Sequence, residues 1–157
     1  RVSTFKMVWM ENINLSIISG STSDKHIVDN ILEILNKFEV KYEIKILSAH
    51  RNPFELKKYV ENSESDIFIA VAGMAAHLPG VVASLTIKPV IGVPVSSTLG
   101  GLDALLSMVQ MPTGVPVATV SIDGGKNAAL LAVEILSLNN SSLKIKLVNY
   151  RKELAGI

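Results

Sequence analysis

Cysteine is absent from the 157 residues, which excludes disulfides, thiolate nucleophiles and Cys-ligated metal sites. Aromatic residues are scarce at 5%, so any core must be aliphatic and alanine-rich. Neither sign of charge dominates. Fifteen Lys and Arg against 14 Asp and Glu leave a net charge of +1, with no electrostatic footprint for nucleic acid or an anionic membrane surface. Charged residues make up 18% of the chain and hydrophobic ones 48%, so much of it must be buried. The length suits one domain with a substantial core rather than two.

The longest stretch without Asp, Glu, Lys or Arg runs from Ile67 to Ile87. It is long enough to span a bilayer, but Gly73, Pro79 and Gly80 interrupt it and its first residues are strand-like. A buried strand, turn and helix are expected there instead of a membrane segment. Residues 1–12 show no signal-peptide pattern and are read as an N-terminal extension. Residues 13–157 are read as a single domain that includes a C-terminal helix. The lack of cysteine is compatible with a cytoplasmic location, which is the expectation.

What is present is alternation. Strand-like runs at 15–18, 42–47, 67–72, 89–93 and 115–120 are each followed by a helical pattern, the last ones over 127–138 and 143–154. Five alternations imply a parallel sheet covered on both faces. The expected fold class is therefore α/β: a three-layer α/β/α sandwich with a flavodoxin-like parallel sheet of about five strands.

In such sheets ligands collect at the carboxyl ends of the strands, and three unusual turns fall there. Gly20-Ser21-Thr22-Ser23-Asp24 offers hydroxyls and free N–H groups at a helix start, suited to phosphate or hydroxyl groups; simple capping by Ser23 or Asp24 is the plainer alternative. Ser48-Ala49-His50-Arg51 sets a proton-transferring imidazole beside a guanidinium that can grip phosphate. Gly73-Met74-Ala75-Ala76-His77-Leu78-Pro79-Gly80 lets backbone approach a ligand closely, with His77 either at the ligand or bonded to backbone. His26 is read as a surface residue. Ser96-Ser97-Thr98 before Gly100-Gly101 reads as a mobile loop. Three histidines without clustered carboxylates predict no metal site. Dinucleotide, P-loop and serine-hydrolase motifs are all missing.

Taken in order, these turns resemble the signature of the class I 5-(carboxyamino)imidazole ribonucleotide mutases. Gly92-Val93-Pro94-Val95, Val109-Gln110-Met111-Pro112 and Asn127-Ala128-Ala129-Leu130-Leu131-Ala132 add to the likeness, which runs in register from about Asn14 to Lys152. Asn52 stands where that family usually has Thr, and Met74 where it often has Gly. Sister carboxylases that fix carbon dioxide directly differ at the third turn and lack the Ala75–Gly80 run.

The resemblance implies an isomerase of purine biosynthesis that moves a carboxyl group from an exocyclic amine to the adjacent ring carbon of a ribonucleotide, without cofactor or metal. It implies His50 as the catalytic proton shuttle. Ser21 and Asp24 would lie at the ribose, Arg51 and Ser48 at the phosphate, and Gly73, Ala75 and His77 along the wall of the pocket. It further implies a homo-octamer. A carboxylase using carbon dioxide directly, and a non-catalytic flavodoxin-like module binding a phosphorylated ligand, are the alternatives.

Overall fold

The computed structural model describes residues 14–157; the extension expected over 1–12 lies outside them. The strands are β1 (Leu15–Ser19), β2 (Tyr42–Ile46), β3 (Ile67–Gly73), β4 (Val90–Val95) and β5 (Ala118–Thr119). The helices are α1 (Lys25–Lys37), α2 (Pro53–Asn62), α3 (Leu78–Leu85), α4 (Leu102–Val109), α5 (Gly125–Ser137) and α6 (Ser141–Ala155). All neighbouring strands pair in parallel, in the order β2-β1-β3-β4-β5. This is the flavodoxin-like order, whose direction reverses between β1 and β3 and opens a crevice there.

Alternation of side chains divides the core into two apolar layers. Leu15 and Ile17 of β1, with Ile67, Ile69 and Val71 of β3, pack against Ile27, Ile31 and Leu35 of α1 and Ala128, Ala129 and Ala132 of α5. On the other face Ile18, Phe68 and Ala70 meet Leu56 and Val60 of α2, Val82 of α3, and Ala104 and Met108 of α4. The alanine-rich face of α5 is what lets it approach α1: a Cβ on Gly125 would stand 2.8 Å from the Ile27 carbonyl oxygen. The three-layer α/β/α sandwich expected from the sequence is the fold observed.

Two boundaries differ from expectation by more than two residues. The fifth strand was expected over 115–120, but only Ala118–Thr119 pairs, because Pro116 within that run has no N–H to give the ladder. The third turn is shorter than Gly73–Gly80, since α3 already begins at Leu78 and carries Pro79 in its first turn, where a missing N–H costs nothing.

At the amino end of the sheet, a polar knot ties the chain before β3 to the core. The buried Ser16 hydroxyl lies 2.7 Å from Ser65 Oγ and 2.6 Å from Tyr59 Oη, and Tyr59 donates to Glu43 Oε1 at 2.6 Å. Burial, and then the bond to the Glu43 carboxylate, push the Tyr59 phenol well above its ordinary range. An unfolded tyrosine releases its proton near pH 10. Above that pH the folded chain therefore holds more protons than the unfolded one, and stability should fall as pH rises further. Replacing Tyr59 with Phe should flatten this alkaline limb. Urea midpoints between about pH 9 and 11.5 check it, and an unchanged slope in the variant would exclude Tyr59 as the cause.

Candidate active site

The carboxyl ends of β2, β1, β3 and β4 open onto one cleft of about 480 Å³. Its lining includes Ser21 and Asp24 from the first turn, Ser48, His50 and Arg51 from the second, and Gly73, Ala75 and His77 from the third. Residues separated by more than fifty positions in the chain thus face a common space, at the crevice where strand order reverses.

The first two turns are held by their own side chains, the third by backbone bonds from the Ala76 amide to the Met74 carbonyl and from the His77 amide to the Ala75 carbonyl. Ser21 Oγ accepts from the Ser23 amide at 3.2 Å and from the Ser23 hydroxyl at 3.0 Å. Ser23 Oγ also lies 3.0 Å from Asp24 Oδ1, which places the nearly buried Asp24 carboxylate against the start of α1. In the second turn, Ser48 Oγ accepts from the amides of His50 and Arg51, each at 3.3 Å. Asn52 Oδ1 accepts from the Ser48 amide at 3.3 Å, so this departure from the usual Thr still closes the turn. The Arg51 guanidinium crosses to the first turn and donates to the Gly20 carbonyl at 2.5 Å.

The decisive contact joins the two histidines. His50 Nε2 and His77 Nδ1 are 2.9 Å apart, with the rings edge to face at 82°. One nitrogen of such a pair must carry the proton and the other accept it, so the two imidazoles form a short proton path at the mouth of the cleft. His77 thus bonds to a side chain, not to backbone as the plainer alternative had it.

The family pattern of AIR carboxylase matches residues 14–156, almost the whole described chain. This chain belongs to the AIR carboxylase family. It is similar to the N5-carboxyaminoimidazole ribonucleotide mutase of Methanocaldococcus jannaschii, 56% identical over 140 residues and 89% of each chain. The chloroplastic phosphoribosylaminoimidazole carboxylase of Vigna aconitifolia is 48% identical over 143 residues, which are 88% of this chain and 26% of that one. Among solved structures, Treponema denticola PurE shares the fold at a TM-score of 0.81 and 31% identity, covering 90% of this chain and 91% of that one.

Within this cleft, Met74 is a further lining residue that the motifs alone do not single out. Met74 adopts φ 57°, the left-handed region that disfavours side chains. Glycine, which has no Cβ, would suit this backbone without strain. Met74→Gly should stabilise the fold by about 1 kcal/mol, read as a rise of roughly 2–4 °C in Tm; a lower Tm would show that the methionine side chain contributes packing that outweighs the strain. Ser97 was missed as well, because it was read as part of a mobile loop. Its position just after the carboxyl end of β4 was the available signal.

Proposed function

We propose that this chain isomerises a carboxyamino ribonucleotide, moving the carboxyl group from the exocyclic amine to the adjacent ring carbon. The observation that carries the reading is the His50–His77 pair at 2.9 Å in the same cleft as Arg51 and the Ser21–Asp24 turn. In the first half of the reaction the N–C bond breaks and carbon dioxide leaves, while His50 gives a proton to the amine nitrogen. In the second half the ring carbon forms its bond to the carbon dioxide, and the proton on that carbon returns to His50. Atoms and charge balance, and one imidazole acting as acid and then base suffices. Family membership and the mutase relative support this chemistry, and a ligand-binding module would have no use for the paired imidazoles.

Arg51, with the Ser48 turn and the start of α2, is suited to the phosphate, and Ser21 and Asp24 to the ribose hydroxyls. Gly73, Ala75 and His77 line the wall that holds the released carbon dioxide near the ring. Arg51→Met should weaken ribonucleotide binding by about 1.5–3 kcal/mol, measured by calorimetry, with little change in Tm. Unaltered affinity would remove Arg51 from the phosphate site.

An assay with freshly generated carboxyamino substrate tests the reaction. The family description and the Vigna relative make the carboxylase the second reading. Turnover of the uncarboxylated ribonucleotide that depends on bicarbonate, without isomerisation, would decide for it.

The chain is further proposed to act as a homo-oligomer, an octamer, in the cytoplasm. No helix among the described residues is long and apolar enough to cross a membrane. Leu102, Leu106 and Val109 form an exposed stripe on α4, and Ile145 and Val148 remain exposed on α6, surfaces suited to neighbouring copies. Light scattering should give a mass several times 16.9 kDa; a stable monomer would overturn this.

A further inference from the structure

We propose that Ser97 is a substrate-positioning residue whose hydroxyl donates a hydrogen bond to the carboxyl group that the reaction moves. The proposal rests on the isomerase reading for the identity of that group. Along the carboxyl edge of the sheet the cleft runs from the β2 end, with Arg51, past β1 and β3 to Ser97 beyond β4. The Arg51 guanidinium reaches the β1 end at the Gly20 carbonyl, so two strand spacings, roughly 10 Å, separate it from Ser97, a length that suits a ribonucleotide lying across the edge. With the phosphate at Arg51, the ring and its carboxyl substituent reach the Gly73–Ser97 wall.

The hydroxyl at that wall is free and held. Ser97 has no hydrogen-bond partner among the described residues, although the residues on both sides of it are tethered. The Ser96 amide donates to Asp123 Oδ1 at 2.9 Å, and Thr98 Oγ1 donates to Asp103 Oδ2 at 2.5 Å. Beyond them, Leu99, Gly100 and Gly101 all take positive φ, at 48°, 62° and 83°. The segment is therefore a shaped turn, tethered on both sides of Ser97. Gly73 keeps the space before the hydroxyl clear, since a Cβ there would stand 3.2 Å from Ser97 Oγ. A free donor facing a cleft across from an arginine is what a ligand with acceptors at both ends requires.

The test compares two ligands by calorimetry: the ring-carboxylated ribonucleotide and its uncarboxylated counterpart. Ser97→Ala should weaken the carboxylated ligand about tenfold and the uncarboxylated one less than twofold, the loss of one hydrogen bond to a charged group. Ser97→Thr should restore most of the difference. Equal weakening of both ligands would mean that Ser97 only shapes the turn, and no weakening would mean no contact; either overturns the proposal. Absence of isomerisation by the unaltered protein would defeat the functional reading instead, and is read in a separate assay.

Discussion

His50→Asn should fold as the parent does and bind the ribonucleotide, yet turn over roughly a thousandfold more slowly, within the range typical of losing a general acid–base group. Asparagine is close to the imidazole in size and can still accept or donate one hydrogen bond to His77 Nδ1, which His50 Nε2 meets at 2.9 Å. It cannot gain and release a proton near neutral pH. The backbone of the turn should be unaffected, because Ser48 Oγ accepts from the amide of residue 50 whatever side chain it carries. Tm and nucleotide affinity are the controls, and single-turnover isomerisation is the readout. Full activity in the variant would remove His50 from the reaction.

Phe68→Ala should cost about 3–5 kcal/mol, the largest stability loss we expect from a single truncation. Phe68 is completely buried in the middle strand β3, paired through its register with Ser16 of β1 and Val90 of β4. Its ring fills the layer shared with Leu56, Val60 and Val82, and in a chain so poor in aromatics little else can fill the cavity. Chemical denaturation should show the loss as a lower midpoint with an unchanged slope. A loss below about 1 kcal/mol would mean that the layer collapses to fill the space. The same strand ends at Gly73, so stability and the third turn of the site depend on one element.

Much of the architecture was legible because its signals are local. Ile67 to Ala72 reads as a central parallel strand because apolar residues occupy both faces. Pro53 marks the start of α2, since proline fits only in the first turn of a helix. Where local chemistry was overlooked, the reading erred: Pro116 shortens β5, and Leu78 joins α3 instead of the turn. The tethers of the segment around Ser97, to Asp123 and Asp103, are not legible from its own Ser, Thr and Gly residues. Asp123 lies 27 positions away along the chain.

By itself the sequence determined the residue types and their order: a histidine and an arginine side by side at 50 and 51, a hydroxyl-rich turn at 20–24, and small residues at 73, 75 and 76. Each group is local in the chain, and strand periodicity alone places each group at a strand end. Only the tertiary structure decided that His50 meets His77, that Arg51 reaches the Gly20 carbonyl, and that Ser97 shares their cleft. Those contacts cross between strands, so they depend on the β2-β1-β3-β4 order and on the register of the ladder, which are set by how two apolar layers pack around the sheet.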